Sequence, residues 1–320
     1  MYVDAIDKKL MGALLVDARQ SFTQLARQAT TSREVAKYRY ARLEKSFKLK
    51  PFTIVDYERL GYKKYVFFLQ LKNISPEEET TFMNFLVHHP FVTYMGPLIG
   101  KWNVAFDILV RNEDHFKKVV DEIITAAHPY VESYVTNGVS MEQQVYHEKF
   151  FAASSPVKKQ KTKSLKLTPD TVDKKILSLL TNNARIEYAF LAKKLKLSAN
   201  AIKYRIKRLE QSGIIKGYTV SFDFHKLGVE AYVLQLKWGS LTDSKLKEFL
   251  KIHPKVFFYY RYVGQEYWDV DIGLYVSSPL ELREFIVELK QEFGDAIKIH
   301  NMYVIAGIIK DNIPPKGLFK

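Results

Sequence analysis

The 320-residue chain contains no cysteine, only three tryptophans and six methionines, and no uninterrupted apolar run long enough for a membrane span. The missing cysteine excludes disulfides and thiolate metal sites, and suits a reducing compartment. The first residues, with Asp4 and Asp7 in a helical pattern, do not form the basic-then-apolar start of a signal peptide. A cytoplasmic location is therefore expected. The chain also lacks a phosphate-cradling glycine loop, an HExxH pair, a nucleophile elbow and a metal-ligand cluster, so neither catalysis nor a cofactor or metal is expected. Acidic charge is in short supply: 35 Asp and Glu stand against 49 Lys and Arg, a formal net charge of +14. That excess favours polyanionic partners and says nothing about fold. With 47% hydrophobic side chains, the chain can bury several cores.

What the sequence does contain is a copy of itself. Residues 7–53 can be laid without a gap on residues 173–219, at an offset of 166, with 18 of the 47 positions identical. The matches include Lys37-Tyr38-Arg39 and Arg42-Leu43-Glu44 against Lys203-Tyr204-Arg205 and Arg208-Leu209-Glu210. A period this long predicts two modules in tandem.

In the second copy, Thr168 reads as an N-cap with Pro169 at the first helical position, and Val172, Ile176, Leu177, Leu179 and Leu180 follow at helix-face spacing. Asn182 and Asn183 break that helix, and a short second helix is predicted over 187–195. Ser198 then caps a third, which stops at Gly213. Residues 214–222 alternate like a strand pair turning at Gly217, which completes a winged helix-turn-helix. The third helix points Ile202, Ile206 and Leu209 inward, leaving Asn200, Lys203, Tyr204 and Lys207 outward with Arg205 and Arg208 on the flanks. In this motif the recognition helix enters the major groove, where Asn suits adenine and Lys suits guanine while neighbouring cations hold phosphates.

The first copy keeps the plan with a different filling. Its third helix is predicted from Ser32 to about residue 46, with Ala36, Tyr40 and Leu43 inward and Arg33, Glu34, Lys37, Tyr38 and Ala41 outward. Arg39 and Arg42 add to its basic surface, and the two helices should read different bases. Phe47 stands where Gly213 caps the other helix, and a non-glycine left-handed cap costs about 1 kcal/mol, so a different helix end is expected.

After each helical module the period changes from 3.6 to 2 and back. The first half reads as strand 65–72, a helix opened by the capping box Ser75-Pro76-Glu77-Glu78, strands 91–98 and 104–110, helix 114–126 and strand 130–145. The second repeats it over 231–237, 244–252, 256–263, 268–276, 279–293 and 297–309. The order βαββαβ is the ferredoxin-like split unit, with one sheet face under two helices. Five segments follow: winged helix-turn-helix domains at 1–56 and 168–224, βαββαβ domains at 57–151 and 225–320, and a basic linker at 152–167 carrying Lys158, Lys159, Lys161, Lys163 and Lys166. The fold class is α+β.

These motifs make the chain resemble a tandem fusion of two Lrp/AsnC-type regulators, in the duplicated form resembling proteins of archaea. The most specific pieces are Leu191-Ala192 through Ser198, the run 204–210 with Gly213-Ile214-Ile215, and the stretch from His253-Pro254 through Gly264 to Asp269. The resemblance implies that the βαββαβ (RAM-type) domains dimerise and bind an amino acid or other small effector. The family's glycine-turn-aspartate element falls on Gly264 with Trp268-Asp269, and Asp269 or Asp271 is expected to receive an effector ammonium group. Its counterpart, Gly100, is followed by Asn103 where the family places aspartate, which makes an effector less expected in the first half.

Double-stranded DNA is the expected partner, with one chain acting as a pseudo-dimer on an asymmetric operator and two chains pairing further through their βαββαβ sheets. Two other readings compete. Siroheme decarboxylases resemble the same architecture, with His88, His89, His253, Arg261 and Tyr260 as candidates for their chemistry. A nonspecific architectural protein would rest on phosphate neutralisation alone.

Overall fold

The computed structural model describes residues 3–144, 167–238, 243–263 and 267–310. Apart from Leu167, the expected linker lies outside them, as does Gly264. The elements of the first half are α1 (Ala5–Val16), α2 (Phe22–Ala29), α3 (Arg33–Phe47), β1 (Lys50–Val55), β2 (Lys63–Leu71), α4 (Pro76–His88), β3 (Val92–Ile99), β4 (Val104–Val110), α5 (Glu113–Ala127) and β5 (Val131–Gln144). The second half supplies α6 (Thr171–Asn182), α7 (Tyr188–Leu195), α8 (Ala199–Gln211), β6 (Ile215–Ser221), β7 (Glu230–Trp238), α9 (Asp243–Ile252), β8 (Val256–Val263), β9 (Val270–Val276), α10 (Pro279–Phe293) and β10 (Ile297–Ile305).

Four domains in series were expected, but the chain sorts its modules by kind into two compact units. One unit holds both helical modules (up to residue 61, and on to residue 227 in the second half) and the other both α/β modules. The helical modules share one hydrophobic core, in which Leu10, Leu14, Leu25 and Leu43 of the first copy join Ile176, Leu180, Leu191 and Leu209 of the second. The expected hairpin wing at Gly217 does not form. Instead β6 runs as a single strand and pairs antiparallel with β1 of the other copy, Gly217 standing opposite Ile54. Without a partner in its own copy, each lone strand satisfies its backbone groups only across the repeat.

The contacts beside this ribbon are reciprocal. The Ala18 N–H donates to Tyr218 O at 3.0 Å, and the Ala184 N–H to Pro51 O at 3.1 Å. The Thr219 hydroxyl donates to Leu15 O and the Thr53 hydroxyl to Leu180 O, both at 2.9 Å. Arg19 bonds Ala184 O and lies over the rings of Tyr188 and Tyr218, while Arg185 bonds Ala18 O and Gln20 O and lies over Phe22 and Tyr40.

In the other unit each half builds the expected four-stranded sheet, and the two close into one eight-stranded barrel, ordered β10-β3-β4-β2-β5-β8-β9-β7. Helices α4 and α5 cover one outer face over Phe67, Phe82, Phe106 and Ile108, and α9 and α10 cover the other over Leu234, Ile272 and Phe285. The inner faces meet on Phe68, Trp102, Val233, Tyr262, Trp268 and Tyr303. Each sheet spends its second face and both edges on the other sheet of the same chain, and a closed barrel leaves no sheet edge to extend, so the expected pairing of two chains would have to use other surfaces of the βαββαβ unit.

The barrel interior also buries charge. Asp271 accepts hydrogen bonds from the Tyr262 and Tyr303 hydroxyls at 2.9 and 3.1 Å. Lys64 pairs with Glu142 at 2.6 Å and Asp107 at 3.4 Å, and Tyr260 donates to Glu142. Burial pushes the Asp271 carboxyl up to about 7, against the stabilising tyrosine hydrogen bonds, and Asp107 up to about 6, with Lys64 opposing. A carboxyl raised in the folded state contributes stability that is complete below the ordinary carboxylate range and is lost as pH climbs through the raised value. The urea midpoint should therefore fall between about pH 4.5 and pH 8, with Asp271 contributing at most about 4 kcal/mol. Asp271→Asn should shrink that fall; an unaltered pH slope in the variant would contradict the assignment.

Candidate DNA-binding surface

Each recognition helix is set by its two ends. Ser32 and Ser198 cap α3 and α8, their hydroxyls accepting from the Val35 and Ala201 N–H groups. The corner before each helix is made by Thr30 and Lys196, at matching positions in the left-handed region. The far ends differ. Gly213 follows α8 at φ 75°, whereas α3 runs two residues further, burying Phe47, before Lys48 turns left-handed at φ 52°. The altered end expected from Phe47 is thus a two-residue extension, and the left-handed cost falls on Lys48.

Both inward stripes, Ala36-Tyr40-Leu43 and Ile202-Ile206-Leu209, are buried. Arg33, Lys37 and Tyr38 on α3, and Asn200, Lys203, Tyr204 and Lys207 on α8, are exposed. Ser32 and Ser198 stay exposed too, with their hydroxyls engaged as caps.

Three arginines expected at the DNA are engaged within their own modules. Arg39 bonds Asp4 at 2.6 Å and Asp7 at 3.0 Å, Arg42 pairs with Asp7, and Arg205 bonds Asp170 at 2.7 Å and Asp173 at 2.8 Å. These aspartates form the capping boxes of α1 and α6, so the second copy's N-cap is Asp170, two residues past the expected Thr168. The hydrogen bond from Arg39 holds the Asp4 carboxyl below its ordinary value. Asp170 is lowered first by the Asp173 backbone N–H and then by Arg205. The three arginines are spent tying the third helix of each copy to its first. Sequence reading missed the roles of Asp7 and Asp173, although the recurrence of an aspartate 32 residues before an arginine in both copies carries the signal. Arg208 keeps an outward role, its guanidinium 5.9 Å over the Tyr204 ring.

The effector residues fare differently. Asp269 accepts from the Trp238 N–H at 2.7 Å, and its own N–H and C=O engage Leu236 O and the Tyr262 N–H. Asn103 does the same work in the first half: its side-chain oxygen accepts from the Leu71 N–H at 2.8 Å, and its backbone engages Leu69 and Leu98. Asp and Asn are interchangeable as acceptors here, so the difference between the halves does not distinguish them as ligand sites. Asp271 lies in the barrel interior rather than at the turn. At Gly100, φ is 147° and an added Cβ would stand 3.2 Å from Tyr303 Cβ.

The candidates for decarboxylase chemistry do not converge. His88 Nδ1 lies 2.8 Å from Asn84 O in its own helix, buried His89 faces Glu122, and His253 Nε2 lies 2.9 Å from Glu288. Tyr260, by contrast, faces the barrel interior. Among the described residues no group of three His, Cys, Asp or Glu could hold a metal ion, and no helix is long and apolar enough to cross a membrane.

Two helix-turn-helix modules on one shared core, followed by RAM-like sheets, define a tandem DNA-binding protein. Residues 3–44 match the AsnC-type helix-turn-helix domain, and residues 169–216 match the winged helix-turn-helix DNA-binding domain. An uncharacterised HTH-type transcriptional regulator of Pyrococcus horikoshii is 31% identical over 128 residues, covering 38% of this chain and 83% of that protein. Another, of Pyrococcus furiosus, is 28% identical over 144 residues, covering 45% of this chain and 95% of that protein. The regulatory protein AsnC of Haemophilus influenzae is 46% identical over 61 residues, covering 19% of this chain and 41% of that protein. The chain belongs to the Lrp/AsnC family of HTH-type transcriptional regulators. Its full-length architecture matches that of the siroheme decarboxylase NirDL, at TM-score 0.61 and 13% identity over 96% of this chain and 93% of that one. A likeness at that identity shows the fold.

Lys203 and Arg205 should therefore separate on substitution. Lys203→Ala should weaken DNA binding and reduce the salt slope by about one while leaving the urea midpoint unchanged. Arg205→Ala should destabilise the fold by about 2 kcal/mol. An equal loss of affinity with unchanged stability in both variants would contradict the division.

Proposed function

We propose that this chain is a sequence-specific DNA-binding regulator in which one polypeptide does the work of a dimer, presenting two unlike recognition helices to an asymmetric operator. The observation that carries this reading is the shared core and β1–β6 ribbon of the helical unit, which make the two modules one body, while their outward residues differ. Arg33, Glu34 and Ala41 of α3 stand at the positions of Ala199, Asn200 and Lys207 of α8. Half-sites one helical turn, about 34 Å, apart suit such a pair. Modulation by an amino acid or other small effector belongs to the same reading. At the two matching turns the Asn103 side-chain oxygen and one carboxylate oxygen of Asp269 are taken by neighbouring backbone.

Binding rather than catalysis is the proposed activity, supported by the dispersal of His88, His89, His253 and Tyr260 over separate surroundings. The reading of an enzyme on this architecture is favoured by one observation, the full-length likeness to a siroheme decarboxylase.

Selection of duplexes from a random library at near-physiological salt separates these readings. The regulator reading predicts an enriched motif of two unlike half-sites, bound at least about 10³-fold tighter than random DNA. Binding with no motif would replace it with the architectural reading. No binding, together with an absorbance shift on adding a siroheme-type tetrapyrrole, would replace it with the enzyme.

A further inference from the structure

The identities retained between the two helical modules fall into groups by what the side chains touch. Ala18, Arg19 and Thr53, with Ala184, Arg185 and Thr219, join the copies across the ribbon. Asp7 and Arg39, with Asp173 and Arg205, tie the third helix to the first. Leu25 and Leu43, with Leu191 and Leu209, are buried in the shared core. The pair Lys37-Tyr38 and its copy Lys203-Tyr204 do none of this. Tyr38 is 72% exposed and Tyr204 64%, and neither hydroxyl has a hydrogen-bond partner among the described residues. The Arg208 guanidinium lies 5.9 Å over the Tyr204 ring yet leaves that ring exposed, and burial gives no reason to keep a large aromatic ring in water at the same place on two helices whose neighbouring outward residues have diverged.

The major groove offers one apolar group along its base edges, the thymine 5-methyl, and apolar side chains recognise thymine by packing on it. Lys37 and Lys203, one residue earlier, stand 100° away around the helix, where an ammonium group reaches a guanine edge or a phosphate without competing for the same base. With Arg39, Arg42 and Arg205 committed inside each module, the Lys-Tyr pair is the readout element that the two helices share.

We propose that Tyr38 and Tyr204 are thymine readers, each packing its ring on a thymine 5-methyl at equivalent places in two half-sites whose remaining bases differ. This rests on the regulator reading and specifies what its operator contains: a shared thymine step in each half, with the asymmetry set by Arg33 and Glu34 on one side and Asn200 and Lys207 on the other.

The test uses the full chain and its selected operator, with each thymine replaced in turn by deoxyuridine, which removes only the methyl group. One thymine in each half should weaken binding about fourfold on replacement, the effect of leaving one methyl out of a buried contact. Tyr204→Ala should bind the thymine and deoxyuridine forms of its half-site equally, and Tyr38→Ala should do so at the other. Tyr204→Phe should keep the discrimination, since the ring and not the hydroxyl makes the contact. Indifference of the wild-type chain to every deoxyuridine, or an operator without thymine at equivalent places, would overturn the proposal and leave the regulator reading intact. A loss in Tyr204→Phe equal to that in Tyr204→Ala would assign the hydroxyl to a phosphate and overturn it as well. Failure to select any operator would overturn the regulator reading itself.

Discussion

The antiparallel ribbon of β1 and β6 is the constraint on which the helical unit depends. Each module contributes a single strand, and a single strand cannot satisfy its own backbone groups away from water. Pairing across the repeat meets that need, and it brings Arg19 and Arg185 each onto backbone carbonyls and aromatic rings of the opposite copy. Two recognition helices then belong to one body. On the proposed function, specificity would be a property of the chain and not of an assembly of chains, leaving the two helices free to diverge.

The α/β modules obey the same logic at larger scale. A βαββαβ sheet buries one face under its own helices and leaves the other apolar face, with its edges, in need of a partner. Here each finds the other sheet of the same chain, and closure into a barrel removes every edge. The interior is not purely apolar: Asp271 sits under two tyrosines and Lys64 bridges two acids, so the join between the halves carries a buried, proton-sensitive network.

Much of this architecture was legible in the sequence. Helix order, the serine caps at Ser32 and Ser198, the capping box at Ser75 and most strands follow from periodicity and local hydrogen-bonding chemistry. What was illegible were partners. A strand's alternation around Gly217 does not say whether its mate is local or 160 residues away, which is why a hairpin was expected where a cross-repeat ribbon stands. Likewise Arg39 and Arg205 look like DNA ligands on a helical wheel, and the wheel does not show Asp7 and Asp173 as their partners, although the common spacing of 32 residues repeats in both copies. At Asp269 the residue type suggested a ligand, whereas the backbone of Trp238 takes its oxygen.

Central to the account is that one chain supplies both recognition helices to one operator. The mass of the operator complex, measured by native mass spectrometry, tests this directly. One chain of 37.3 kDa per duplex, with both half-sites protected from cleavage, is the predicted result. Two chains required on each duplex for protection of both half-sites would contradict it.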